Sequence, residues 1–421
     1  MKTVIRPETE MKDSGVQWIG DIPANWGRSK LKYLGTYING YAFKPSDWSS
    51  RGRQIIRIQD LTGSNSAEPN YYDGTLDEKY RVVNGDILVS WAATLDAFVW
   101  KKEDGWLNQH IFKAIPNEKI VKDYFWWLLK VAMDNMNNDD KHGIVMQHVT
   151  IGLFNNYVVP LAPYAEQQAI ADYLDETCSK IDEIIAEAKA SIDEYKEFKQ
   201  SVIFEAVTKG LNKNVEMKQC SVNWLDEIPS TWESIRLKYL LTEINNRSET
   251  GKEQPLSVSQ VMGVVPSSMI AVANPTASYV GQKIVEPNDI VFNKLKAHLG
   301  VFFMSKYHGL VSHDYAVYRT NDKVIPKYLE YLFHTSACIS EFKKYISGVA
   351  EGLMRLYTSD LFNIRICLPK VDEQIKIVKY VENKVELFNS LISEKQSLIK
   401  DLEAYKKSLI YEVVTGKRRV V

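Results

Sequence analysis

The chain has little cysteine. Only Cys178, Cys220, Cys338 and Cys367 occur in 421 residues, with no paired spacing. That argues against a disulfide framework or a zinc site, and for reduced thiols in the cytoplasm. No run of about eighteen apolar residues is present, so no membrane span is expected. The opening segment, MKTVIRPETEMKDSG, contains no apolar stretch of the signal-peptide kind. The seven histidines show no HExxH or related ligand spacing. A P-loop, a Ser/His/Asp set, an NPPF- or DPPY-type motif and a glycine-rich cofactor loop are all missing, which removes ATP hydrolysis and methyl transfer from this chain's expected chemistry. Residues 73–80, DGTLDEKY, place Asp73, Asp77 and Lys79 near one another, as a metal-dependent nuclease would require. They sit in a polar, turn-like stretch that reads better as a solvated loop.

Charge of one sign is also scarce. The net charge is −1, which is unpromising for a nucleic-acid binder, whose usual footprint is basic. The acid excess is confined to residues 166–209, which hold 11 acidic and 5 basic side chains. Residues 1–165 balance at 19 of each, and 210–371 carry 18 basic against 15 acidic. The remaining segment, 372–421, has 10 basic and 8 acidic residues. A local cationic face is therefore permitted outside the acidic segment.

What the chain does have is an internal repeat. VQWIGDIPANWGRSKLKYL (16–34) matches VNWLDEIPSTWESIRLKYL (222–240) at an offset of 206. NGDILVS matches PNDIVFN, and NEKIVKDYFWWLL matches NDKVIPKYLEYLF. LFNNYVVPLAPYAEQQAI matches LFNIRICLPKVDEQIKI, and FKQSVIFEAVTKG matches YKKSLIYEVVTGK. Five matches in order at nearly constant offset indicate a tandem duplication. Each copy is a mixed globular part followed by a long helix.

The globular parts read as α+β. RQIIRIQDL, GDILVSWA, PLSVSQV and DIVFNKL are short β-rich runs between turn residues, and KDYFWWLLKVAMDNM and PKYLEYLFHTSACISEF are amphipathic helices. Glu166 to Thr208 and Asp372 to Thr415 contain neither proline nor glycine. Their apolar positions (Ile170, Leu174, Ile181, Ile184, Ala188, Ile192, Tyr195, Phe198, Val202; then Ile377, Val381, Val385, Phe388, Ile392, Leu398, Leu402, Tyr405, Leu409) alternate three–four spacings, as in a coiled-coil seam. At about 1.5 Å per residue each helix would reach roughly 65 Å. Neither buries its stripe alone, so the two are expected to pair. The short link GLNKNVEMKQC makes the pair antiparallel, with the domains at opposite ends and a pseudo-twofold relation between halves. The expected layout is 1–165, first globular domain; 166–209, first helix; 210–371, second globular domain; 372–421, second helix and tail.

This layout resembles the specificity (S) subunit of type I restriction–modification systems. The matching residues are WIGDIPANW and WLDEIPSTW, the GDILVS and NDIVFN strands, and the closing VPLAPYAEQQAIADYLD and CLPKVDEQIKIVKYV. The second closing run has one proline where the first has two. The resemblance implies two target-recognition domains, each reading half of a split, asymmetric site in double-stranded DNA, with the helices setting the unread gap. It implies a non-catalytic subunit that assembles with two methyltransferase (M) subunits, and with two restriction (R) subunits for cleavage. It places S-adenosylmethionine in the M subunit and ATP and Mg in the R subunit, with no cofactor here. The competing reading is a coiled-coil scaffold whose heads bind proteins.

Base readout needs forked donors and acceptors near strand ends. In the first domain the candidates are Arg57 and Gln59, alternating on one face of IIRIQDL; Ser90, at the end of its strand; Asn108, Gln109 and His110; and Gln147 and His148. In the second they are Ser259, Gln260, Asn293, Lys294, Lys296, His313, Arg355 and Tyr357, the two lysines suiting phosphate better than bases. Trp91, Trp126 and Trp127 read as core rather than as intercalating wedges.

Overall fold

A computed structural model describes residues 2–63, 68–138, 149–222, 224–270, 278–346 and 355–420. The chain forms two compact units, Met1–Ala188 with Ser397–Val421, and Lys189–Gln396. Each contains one copy of the repeat and a length of both long helices.

In the first unit one four-stranded sheet is antiparallel throughout, ordered Asp96–Val99, Ile87–Ser90, Ile111–Pro116, Gly35–Asn39. Successive side chains alternate between its faces. Ile87, Val89, Ala97, Phe112 and Ala114 enter the main core, whereas Leu88 and Ile111 join Ile56, Val82, Trp100 and Leu107 in a smaller cluster behind. That second cluster is supplied by a sheet ordered Tyr71–Tyr72, Arg53–Ile56, Gly105–Leu107, Arg81–Val82, whose two middle strands run parallel. The first sheet is thus covered on both sides, which is why GDILVS is apolar without alternation.

The strand expected across IIRIQDL ends at Ile56. The Asp60 carboxylate accepts from the Arg57 backbone N–H at 2.8 Å and starts a short helix, α1 (Ile58–Thr62). Arg57 and Gln59 therefore do not share a strand face. Helix α2 (Lys122–Asn138) buries Tyr124, Phe125, Leu128, Leu129, Ala132, Met133 and Met136 against the main core, the three–four spacing of an amphipathic helix. A short helix α3 (Ile151–Asn156) precedes the strand Val158–Leu161, which pairs with Gly27–Lys30.

The first long helix, α4, spans Tyr164–Lys209. In the second unit the sheet order Leu241–Ile244, Tyr315–Thr320, Ile290–Asn293, Phe302–Met304 repeats the first. Phe292 and Phe302 stack at 4.0 Å in its core. Leu256–Ser259 forms a hairpin with Gly263–Pro266, and Lys283–Val285 pairs with Gly309–Val311. Helices α5 (Pro326–Phe333), α6 (Ser336–Lys344) and α7 (Thr358–Asn363) lead to the strand Arg365–Leu368 and to the second long helix, α8 (Val371–Val414). Cys220 and Cys367, far apart in sequence, bring their free thiols to 3.0 Å within this unit.

The apolar stripe of the long helices differs in detail from the sequence reading. On α4 the buried positions include Ile181, Ile185, Ala188, Ile192 and Ile203, while Ile184 and Phe198 are exposed. On α8 Leu398 and Tyr405 are exposed too. Neighbouring isoleucines made the choice between positions 184 and 185 ambiguous. The helices touch in each unit: Lys406 bonds Asp182 at 2.6 Å in the first, and Tyr195 meets Phe388 with Lys199 on Asn389 in the second.

The repeated Glu-Gln pair at the start of each long helix has a structural reason. Gln167 is buried; its amide oxygen accepts from Val121 N–H at 2.8 Å and its nitrogen donates to Ala162 carbonyl at 3.0 Å. Gln374, also buried, accepts from Ile325 N–H at 2.9 Å and donates to the Lys323 and Pro369 carbonyls. Beside each, Glu166 accepts from the indole N–H of Trp26 at 3.1 Å and Glu373 from that of Trp232 at 3.3 Å. Those tryptophans close the IPANW and IPSTW motifs. The far ends are also alike: Thr208 and Thr415 donate back to the carbonyls of Phe204 and Tyr411. Gly210 and Gly416 follow in left-handed conformation, at φ 77° and 76°. Beyond Gly416, Arg418–Val420 pairs with Thr3–Ile5.

Replacing Gln374 by Leu strands the half-buried Ile325 N–H and two carbonyls. It is expected to lower unfolding free energy by about 1–3 kcal/mol. Gln168→Leu, on the exposed face one residue from Gln167, should fall within about 0.5 kcal/mol of the parent. Urea unfolding of the full chain checks both, and equal midpoints for the two variants would refute the assigned role.

Candidate nucleic-acid interface

In the first unit the parallel strands Arg53–Ile56 and Gly105–Leu107 end side by side, so the loops that follow leave from the same edge. Asn108 N–H donates to Ile56 carbonyl at 3.3 Å, which sets Arg57 beside Asn108. Tyr41 N–H donates to Leu107 carbonyl at 2.8 Å. The preceding Gly40 leaves no room for a side chain, since a Cβ there would lie 2.0 Å from the Asn108 carbonyl oxygen. Gln109 and His110 touch through their side-chain nitrogens at 3.3 Å. The His110 ring lies 5.3 Å from that of Trp91, whose own carbonyl accepts from Val149 N–H.

The edge thus collects Arg57, Asn108, Gln109 and His110. Gln59 is two residues further on, inside α1, where its carbonyl accepts from Gly63 N–H. Ser90 is at the same end but fully buried, its hydroxyl donating to Ala92 carbonyl at 3.1 Å. Gln147 and His148 lie outside the described residues. Trp126 and Trp127 donate to Ala97 carbonyl and to Asp175, and Trp91 stacks on Phe112, so all three are tied to the core side. Asp77 accepts from Lys79 N–H and Asp73 pairs with Arg51, and the Lys79 contact holds the Asp77 carboxyl below the usual carboxylate range. Among the described residues no three His, Cys, Asp or Glu side chains are grouped to hold a metal ion.

Sequence reasoning missed an aromatic cluster at this edge. Tyr41 contacts Phe43 and Tyr80 at 5.0 and 5.7 Å, and Phe43 contacts Tyr72 at 5.4 Å. The four residues are spread over 40 positions, so no local pattern marks them.

In the second unit Ser259 ends its strand and its hydroxyl accepts from Val261 and Met262 N–H, closing a tight tip on which Val261 is exposed. Gln260 reaches Leu299 carbonyl at 3.5 Å. Asn293 caps the short helical turn that follows it, accepting from Leu295 N–H. Lys294 lies 3.8 Å from Glu243 and its carbonyl accepts from Leu356 N–H, which brings the exposed Arg355 and Tyr357 alongside. Lys296 is exposed on the same turn. His313 N–H donates to the Gln282 side chain at 2.9 Å. Asn293, Lys294, Arg355 and Tyr357 therefore form one group, His313 approaches Gln282, and Ser259 and Gln260 belong to the hairpin tip. Next to Gln282, Lys283 is almost wholly buried. Burial, aided by Lys294 and Arg247, pushes its ammonium below the usual lysine range against the opposing pull of Glu243.

A family model described as the type I restriction modification DNA specificity domain matches twice, over residues 23–194 and 229–401. The chain belongs to that family. Among its relatives, the type I restriction enzyme EcoBI specificity subunit of Escherichia coli is 23% identical over 97% of this chain and 89% of its own length. The putative type I restriction enzyme MjaX specificity subunit of Methanocaldococcus jannaschii is 22% identical, with 96% of each chain covered. A solved chain from work on complex assembly and conformational transition of the type I R-M system shares the fold at a TM-score of 0.71, with 14% identity, 94% of this chain and 99% of that one. The HsdS subunit of Thermoanaerobacter tengcongensis gives a TM-score of 0.54 at 16% identity, covering 94% and 98%.

Gly40→Ala is expected to push the Tyr41 and Asn108 backbones apart and to cost about 1–3 kcal/mol of stability. Chemical denaturation measures it, and an unchanged midpoint would mean that the edge tolerates that displacement freely.

Proposed function

We propose that this chain is the DNA-sequence specificity subunit of a type I restriction–modification complex. Each unit reads one half of a bipartite, asymmetric site in double-stranded DNA. The long helices set the unread gap and help to dock the methyltransferase subunits. The chain performs no chemistry itself. Two M subunits using S-adenosylmethionine methylate adenine at the site, and two R subunits using ATP and Mg cleave DNA. The complex works in the cytoplasm; among the described residues no helix is long and apolar enough to cross a membrane. The observation that carries this reading is the double match to the DNA specificity domain, each copy running through the same Glu-Gln start into a long helix.

The physical division of labour follows from the two edges. Forked side chains such as Gln109 and Arg57 suit base edges in the major groove, whereas lysines suit phosphates. With a net charge near zero the chain has few phosphate contacts to offer alone. It is expected to bind DNA weakly by itself and to hold a defined site only with its M subunits. Tight, site-specific binding by the purified chain alone would contradict this. A protein-binding scaffold predicts no salt-dependent DNA binding even in the assembled complex.

Two measurements test the assignment of the heads. Coexpression with the M subunits and methylation mapping should give a split site. Exchanging residues 1–165 for those of another S subunit should then change one half only, and a change in both halves would sink the two-reader scheme. Within the first half, Gln109→Ala should relax one base position by about 1–3 kcal/mol of discrimination. The buried Ser90→Ala is expected to leave base preference intact. Identical preference in the Gln109 variant would remove that side chain from the interface.

A further inference from the structure

The two units carry the same framework but different chemistry at one spot. Val82 faces Gly105 in the first unit and Val285 faces Gly309 in the second, so Tyr80 and Lys283 occupy matching positions two residues earlier. The strands Gly35–Asn39 and Leu241–Ile244 pair with Ile111–Pro116 and Tyr315–Thr320 in like fashion, so Tyr41 and Arg247 also match. In the first unit the spot is the Tyr41–Tyr80 contact within the aromatic cluster. In the second, the backbones of Arg247 and Lys283 are paired, and the site is cationic.

We propose that Arg247, Lys283 and Lys294 form a seat for one phosphodiester of the DNA backbone, a site of the second unit only. The inference rests on the DNA-reading function above. Two ammoniums share one carboxylate: Glu243 lies 3.7 Å from that of Lys283 and 3.8 Å from that of Lys294. The Arg247 guanidinium donates to Gly281 carbonyl at 2.8 Å, and the residue is otherwise exposed. Lys283 is 3% exposed. Positive charges packed together in a partly desolvated place repel one another, and one carboxylate divided between two lysines, with Arg247 beside Lys283, does not balance them. Burial, with Lys294 and Arg247 nearby, pushes the Lys283 ammonium below the usual lysine range against the pull of Glu243, in keeping with that crowding. An anion relieves it. A phosphate oxygen is a suitable one, being able to accept from an ammonium and a guanidinium together. The seat also adjoins base-reading candidates, since Asn293 precedes Lys294 and Gln282, which holds the His313 backbone, precedes Lys283. A backbone contact there would fix register for those side chains.

The test uses the chain assembled with its M subunits and a duplex carrying the mapped site. Single neutral methylphosphonates are walked along both half-sites. In the parent complex one position in the half-site read by the second unit should weaken binding on neutralisation. Lys283→Met and the exposed Arg247→Gln should each lower the slope of log affinity against log salt by about 0.9, the value of one phosphate contact. In both variants the methylphosphonate penalty at that position should vanish, whereas penalties in the other half-site persist. Thermal melting keeps the Arg247 variant interpretable should Lys283→Met fold poorly. Unchanged slope and undiminished penalty in the folded Arg247 variant overturn the seat. A seat for a free anion is overturning as well: inorganic phosphate would then raise the melting point of the parent chain but not of the variants, with no loss of the methylphosphonate penalty. Failure of the parent complex to bind any duplex would instead fell the DNA-reading function, and the seat with it.

Discussion

The two buried glutamines at the roots of the long helices hold each globular part to its helix. A primary amide is suited to that place. It presents an acceptor and two donors in one plane; Gln374 uses all three, and Gln167 its acceptor and one donor, on backbone groups of neighbouring segments. Val121 and Ile325 stand just ahead of α2 and α5, so one side chain fixes both the first turn of the long helix and the start of the helix that covers the sheet. The neighbouring glutamate ties the same turn to a tryptophan of the opening motif. Three segments distant in sequence meet at each root.

The legible part of the sequence was the part governed by repetition and periodicity. The duplication and the α+β character of each copy follow from matches that survive because they encode packing, such as Trp26 and Trp232 at the helix roots or Tyr124 and Tyr328 in the two cores. The long helices were evident from their lack of proline and glycine, though their stripe was misplaced by one residue where Ile184 and Ile185 stand together. The strand run through IIRIQDL failed for a local reason. A three-residue capping contact from Asp60 turned the chain into a helix, and β-propensity carried no trace of it.

The candidate reading edge was legible only in part. Arg57, Asn108, Gln109 and His110 could be named because they follow apolar strands, and the fold does bring them to one edge. Ser90 met the same criterion and is buried, because the strand it ends is covered on both faces. The aromatic cluster of the first unit, and Arg247 and Lys283 beside Lys294 in the second, were invisible, since each cluster joins residues from separate loops. Lys283 in particular carries no local sign in the sequence of its burial or its neighbours.

The glutamine contacts also bear on how such a chain can change over generations. Their receptors are main-chain N–H and carbonyl groups, which every non-proline residue supplies. The helix root therefore places almost no demand on the identity of residues 121, 162, 325 or 369 as side chains, beyond the fold that positions them. The loops at the candidate reading edge differ in presenting side chains, such as those of Gln109 and His110, rather than backbone groups. A joint addressed to the backbone rather than to sequence leaves the side chains around it free to vary without loosening it.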